Sequence, residues 1–164
     1  MEKQMMVRKA SEIDFPQILQ IYAHARQFMA EHGNPTQWGA VYPDADLLRE
    51  DMEAERLYVV TRSEQVCGVF MFAIGPDPTY AVIKDGAWHS DALYGTIHRI
   101  AGDGTGGVFD ACLNYCKEKC GYLRIDTHEN NRIMQHIVTK AGFQRCGIIY
   151  TDNGTPRIAF DRME

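Results

Sequence analysis

The run Ile97–Gly107, followed by a helix-forming stretch to Lys119, constrains this chain more than any other. It reads as a β-branched strand end, then a loop with glycines at 102, 104, 106 and 107. Next come the first turns of an amphipathic helix on which Val108, Cys112 and Cys116 recur at helical spacing. After Gly121, Tyr122–Thr127 is a strand again. Strand, helix and strand make a βαβ unit, which should be parallel and right-handed. Gly104, Gly106 and Gly107 lack a Cβ, so the backbone can turn sharply there and approach a ligand closely. The free N–H groups of the first helical turn, aligned with its dipole, favour an anion. Taken alone, a glycine-rich strand-to-helix turn is more often only a turn.

At 164 residues the chain suits one domain, 1–164, with a real core. Its 17 Lys plus Arg against 22 Asp plus Glu leave a formal charge of −5, with no basic block, so nucleic acid is not expected as a partner. Met1 to Arg8 lacks the charged-then-apolar pattern of a signal peptide, and no apolar run is long enough to span a bilayer. The expectation is a cytoplasmic protein without a membrane partner. Five cysteines stand at 67, 112, 116, 120 and 146, mostly inside apolar segments, which favours reduced core thiols over a disulfide framework. Cys112, Cys116 and Cys120 fall one turn apart on one helix face, and a single stripe cannot wrap a tetrahedral ion. No metal is expected.

Elsewhere the pattern predicts a strand over Val7–Ala10 and a helix from Ser11 or Asp14 to Glu31, with Ile18, Leu19, Tyr22, Ala25 and Met29 on its apolar stripe. An aromatic loop, Thr36–Pro43, carries Trp38 and Tyr42; such loops tuck over a core or form ligand lids. A second helix, capped by Asp44 or Asp46, runs to Glu55. Leu57–Arg62 and Val66–Ile74 form an antiparallel hairpin, and Thr79–Leu93 is irregular. Tyr94–Ile100 is the strand that enters the glycine loop. Asn130 or Asn131 caps a helix to Lys140, closed by Gly142, and Phe143–Tyr150 and Arg157–Asp161 form a terminal hairpin. The sum is an α/β fold of about seven strands and about four helices in one mixed central sheet.

The order strand, glycine loop, helix, strand, then Asn131 and a helix ending in Lys140-Ala141-Gly142-Phe143, resembles the GCN5-related N-acetyltransferase (GNAT) superfamily. Arg8-Lys9-Ala10, the Trp38 loop, Gly147–Tyr150 and Thr155-Pro156-Arg157 look like a small single-domain branch common in bacteria that acts on small molecules. The resemblance implies a GNAT-like sheet with a splayed parallel pair in the middle, acetyl-CoA as donor and co-substrate, and an amine as acceptor. It also brings a family-level expectation of a homodimer.

By that resemblance the coenzyme A pyrophosphate would sit on backbone N–H groups of Asp103, Gly104, Thr105, Gly106, Gly107 and Val108. The pantetheine arm would lie along Ile97, His98, Arg99 and Ile100, where a backbone N–H would stabilise the thioester oxygen by up to about 3–4 kcal/mol. Asn131 would hold the arm from the other side. A base must take the proton of the acceptor amine, and His98, His128 and Glu129 are the nearest candidates. Imidazole suits the task with its ordinary pKa of about 6.5. Each histidine also has the plainer reading of a hydrogen-bonded structural residue. Tyr22, Trp38, Tyr42, Tyr94 and Thr127 would wall the acceptor site.

The chain departs from the family pattern twice. The family's Arg/Gln-x-x-Gly-x-Gly/Ala signature aligns with Gly104, Gly107 and Phe109, without the leading side chain. Val138 stands where many members carry the tyrosine that protonates the leaving thiolate. The leading expectation is an N-acetyltransferase acting on a primary amine of a small molecule by direct attack. The alternatives are a non-catalytic acyl-CoA sensor module and an acetyltransferase for protein N-termini or lysines. A phosphate-loop NTPase is not expected, because no Lys-Ser/Thr follows the glycines.

Overall fold

Alternating burial along the strands drives two helical layers onto opposite faces of one sheet. In the computed structural model, which describes residues 5–164, the chain runs β1 (Met5–Lys9), α1 (Phe15–Glu31), α2 (Ala45–Glu53), β2 (Leu57–Arg62), β3 (Gln65–Ile74), β4 (Gly95–Gly102), α3 (Val108–Lys119), β5 (Tyr122–Thr127), α4 (Arg132–Lys140), β6 (Gln144–Tyr150) and β7 (Pro156–Met163). Residues 1–4, the start of the Met1–Arg8 segment read for a targeting signal, lie outside the described residues. Among the described residues, no helix is long and apolar enough to cross a membrane.

The seven strands form one sheet in the order β1-β2-β3-β4-β5-β7-β6, antiparallel except for the parallel pair β4-β5. On β2, Tyr58 and Val60 face the layer that holds α3 and α4, while Leu57 and Val59 face the layer that holds α1 and α2. The first layer gathers Phe70, Phe72, Ile97, Cys112, Leu123 and Val138; the second gathers Ile18, Tyr22, Leu48 and Val69. Cys112 and Cys116 are fully buried in the first, as their place on the apolar stripe of α3 requires. A third cluster of Tyr80, Cys146, Ile149 and Ala159 lies at the β6-β7 end, beneath the irregular segment.

Local signals place the ends. Asp44 Oδ1 accepts from the Leu47 N–H at 2.9 Å and Asn131 Oδ1 from the Met134 N–H at 3.0 Å, so each caps the helix after it. Ser11 and Asp14 form a capping box, but the first turn is 3₁₀ and α1 proper starts at Phe15. Ser63 and Glu64 take φ of 54° and 68°, the left-handed pair of a two-residue hairpin turn, so Gln65 already belongs to β3. β4 continues to Gly102 rather than Ile100, and α3 begins at Val108 because Gly107, at φ 82°, is still outside the helix.

β4 and β5 pair only at Gly95↔Leu123 and Thr96↔Arg124. Two residue pairs hold little by themselves. Burial of Ile97, Leu123 and Ile125, worth about 1.5–3 kcal/mol each, is what keeps the two strands in one sheet. Gly95 makes their close approach workable: an added Cβ would stand 2.5 Å from the Phe72 ring and 3.1 Å from Leu123. Gly95→Ala is therefore expected to cost about 1–3 kcal/mol in urea unfolding. An unchanged midpoint would show that the crotch of the splay tolerates a methyl group.

Candidate active site

Beyond Thr96, β4 and β5 separate. Val69 and Met71 of β3 pair with Ala101 and His98, so Phe70 alone stands opposite Arg99 and Ile100. This is a β-bulge, which adds a residue to β4 and sharpens its twist away from β5. Arg99 takes φ 54°, left-handed for a non-glycine residue. Three contacts hold it there. Its Nη2 and Nε donate to Asp51 Oδ2 at 2.7 and 3.0 Å, Nη1 donates to the Tyr42 hydroxyl at 3.1 Å, and the Tyr22 hydroxyl donates to its carbonyl at 2.6 Å. Asp51 is 1% exposed, so this is a buried ion pair.

A cleft of about 620 Å³ fills the splay. Ile97, His98, Arg99 and Ile100 line it from β4, and Ile125, Asp126 and Thr127 from β5. His98 has a carboxylate beside each ring nitrogen: Asp77 Oδ2 is 2.8 Å from Nε2, and Asp126 Oδ1 is 3.6 Å from Nδ1. Burial works against the Asp77 charge, but His98 and the Thr79 hydrogen bonds outweigh it and hold the carboxyl at about 2. An ionised Asp77 only accepts, so Nε2 carries a proton, and Nδ1 is the nitrogen turned toward Asp126. The Tyr80 hydroxyl donates to Asp126 Oδ1 at 2.6 Å, and burial followed by Asp126 pushes its pKa well up, so Tyr80 stays a donor. The Tyr94 hydroxyl accepts from the Asp77 N–H at 2.8 Å and fixes that loop.

The Trp38 loop roofs the cleft and is tied down. Gln37 Oε1 accepts from Asn34 and Asn131, at 2.8 and 3.1 Å, and its carbonyl accepts from Arg157 Nη2 at 3.1 Å. Trp38 packs edge-on against Tyr22, with ring centroids 5.7 Å apart, and Tyr42 follows it. Trp38, Tyr42, Asn131 and Arg157 all line the cleft. Thr127 does so with a buried Oγ1 that has no hydrogen-bond partner among the described residues.

Several expected site residues take other places. Tyr22 is fully buried and does not reach the cleft; burial raises its pKa, and its hydroxyl serves the bulge. Tyr94 stands behind Asp77 rather than in the lining. His128 is buried, and its Nδ1 already accepts the Asn130 N–H at 3.0 Å. Burial, then Arg157, depresses its pKa, so the ring is neutral with its lone pair in use. Glu129 is exposed and outside the lining.

The glycine loop stands apart from the cleft. Gly104, Gly106 and Gly107 take φ of 92°, 89° and 82°, and Asp103 Oδ1 accepts from both the N–H and the hydroxyl of Thr105, at 3.0 and 2.6 Å. The Arg62 guanidinium donates to the Gly106 carbonyl at 2.9 Å, and a Cβ on Gly104 would come within 3.4 Å of His24 Nε2. Sequence reasoning missed Asp77, Asp126, Gln37, Arg62 and Arg157. For Asp126 a signal existed, since alternation along β5 puts it on the face opposite Ile125; the others needed the tertiary fold.

Solved structures share this architecture. A GNAT-family acetyltransferase from Streptococcus agalactiae is 28% identical, with a TM-score of 0.87, over 100% of this chain and 98% of that one. A GNAT-family acetyltransferase from Bacillus cereus is 18% identical, with a TM-score of 0.64 over 98% of each chain. The yncA protein of Salmonella typhimurium, solved with its cofactor acetyl-CoA, is 14% identical, with a TM-score of 0.60 over 97% of this chain and 93% of that one. The last two show the fold alone, whereas the first, with its full-length match, places the chain in the GNAT superfamily. No protein-family model matches the chain, and no curated protein matches it.

Because the folded Asp77 carboxyl sits at about 2, below the ordinary 3.8, its contribution to stability is present above about pH 4 and lost as the pH falls toward 2. Asp77→Asn should therefore lose less stability than wild type between about pH 5 and about pH 3, read from urea midpoints. Equal losses would mean that His98 does not hold Asp77.

Proposed function

We propose that this GNAT-superfamily chain is an N-acetyltransferase that moves the acetyl group of acetyl-CoA to a primary amine of a small molecule by direct attack. One observation carries the proposal: His98 stands at the bulge with a carboxylate beside each ring nitrogen, on the floor of a cleft that opens where β4 leaves β5.

The residues present fit the donor. β4 beyond Thr96 has no β5 partner, so its edge can pair with an extended amide chain such as pantetheine. Ile97, His98, Arg99 and Ile100 would carry that arm, with Asn131 across the cleft. The amides of Gly104, Gly106, Gly107 and Val108, with Arg62 beside them, would take the pyrophosphate, while the Asp103 N–H is held by the Cys67 carbonyl at 2.9 Å. The Thr105 N–H is already engaged by Asp103, which leaves the glycines as the open part of the loop. Acetyl-CoA supplies an activated acetyl thioester.

The chain's own residues then do three things. Asp126 and Asp77 favour a cationic amine at the cleft floor. His98 Nδ1 removes a proton from it, and the imidazolium so formed lies between two carboxylates that favour its charge. As the amine nitrogen bonds to the carbonyl carbon, the C–S bond breaks, the thiolate leaves, and the nitrogen gives its second proton to solvent. A backbone N–H at the bulge would face the carbonyl oxygen. Val138 is fully buried, so its position supplies no acid and the thiolate takes its proton from solvent. The tethered Trp38 roof supports a small acceptor over a peptide. A cytoplasmic location and a homodimer belong to the same proposal.

Thiol release from acetyl-CoA across a panel of amines tests it. Wild type should turn over with at least one class, and His98→Gln should lower kcat/KM by about 10²–10⁴-fold while keeping donor affinity. Donor binding without thiol release on any amine would favour the sensor module instead.

A further inference from the structure

On the reading that the cleft binds an amine acceptor, we propose that the acceptor also carries a carboxylate, as an amino acid does, and that Arg157 is the residue that binds it. Arg157 is the second residue of β7, is 8% exposed and lines the cleft with Trp38 and Tyr42. Its Nη1 and Nη2 each donate to a backbone carbonyl, Pro156 at 3.0 Å and Gln37 at 3.1 Å. A guanidinium has five N–H donors, so three remain. Among the described residues no carboxylate lies within ion-pair distance of it.

That isolation sets it apart. Arg99, the other guanidinium in the lining that is held deep in the protein, is paired with Asp51 at 2.7 Å. Arg124, buried and likewise without a carboxylate, is outside the lining and lies 4.1 and 3.9 Å from the Trp88 and Tyr94 ring centres. A buried charge without a counter-charge is costly, and the two backbone bonds of Arg157 orient it without neutralising it. Burial lowers its pKa, with Asp126 pulling the other way, as for a cation short of a close partner.

The cleft is thus polarised: Asp77 and Asp126 flank His98 at one place, and an unpaired guanidinium stands at another. A molecule with an ammonium and a carboxylate satisfies both. A polyamine would bring a second cation toward Arg157, and a simple amine would leave the guanidinium unpaired.

The test compares amino acids with their matched carboxamides, simple alkylamines and polyamines, by thiol release from acetyl-CoA and by calorimetric binding to the unmodified protein. The amino acid should exceed its carboxamide in kcat/KM by roughly 30-fold or more. Arg157→Gln should raise KM for the amino acid by a similar factor and leave kcat/KM for the carboxamide within a few-fold, with Arg157→Lys partly restoring the preference. Carboxamides or polyamines serving as well as amino acids would overturn the proposal and leave the transferase reading standing. So would equal losses on both acceptors in Arg157→Gln, which would mean that Arg157 only tethers the Gln37 loop. Carboxylate-dependent binding with no thiol release would support Arg157 and overturn the transferase reading, and binding of neither acceptor would overturn the proposal.

Discussion

The bulge at Arg99 is the constraint on which the rest of the site depends. A left-handed, non-glycine residue costs on the order of 1–3 kcal/mol and persists only where its surroundings determine it. Here each neighbouring element takes part: Tyr22 from α1 holds the Arg99 carbonyl, Asp51 from α2 pairs with the guanidinium, and Tyr42 from the Trp38 loop accepts from Nη1. The α1-α2 layer therefore does more than cover an apolar face. It pins the extra residue of β4, and the extra residue parts β4 from β5 below the Gly95–Thr96 crotch.

The two sides of that opening offer different chemistry. The unpaired edge of β4 offers backbone groups, which suit an extended amide chain. The other side carries charge: Asp77 and Asp126 around His98, and Arg157 under the roof. The fixed proton on His98 Nε2 matters most there. Asp77 holds it in place, so Nδ1 is the ring nitrogen turned toward Asp126.

The fold was legible because one run of sequence switches period twice, from strand to helix to strand, around glycines that admit no other course. His98 was legible for the same reason, lying just before the loop on a strand whose place in the sheet followed from the βαβ unit. Its partners were not. Asp77 lies in the Gly75-Pro76-Asp77-Pro78 stretch after β3, and only the folding back of that stretch over β4 brings it to His98. Arg157 read as the start of a terminal strand, and its burial depends on the Trp38 loop, which is distant in sequence. Tyr22 carried a usable signal that pointed the other way: it belongs to the apolar stripe of α1 with Ile18, and stripe membership means burial rather than a place in the site wall. At His128 the sequence could not show that the Asn130 N–H would occupy the ring nitrogen.

The most direct measurement is backbone amide hydrogen exchange with and without acetyl-CoA. A donor seated in the splay should slow exchange at Ile97–Ile100 and across Asp103–Val108, while β1 and the exposed edge of β6 stay as they were. Unchanged exchange along β4 and the glycine loop at saturating acetyl-CoA, or protection confined to a different face of the sheet, would contradict the account.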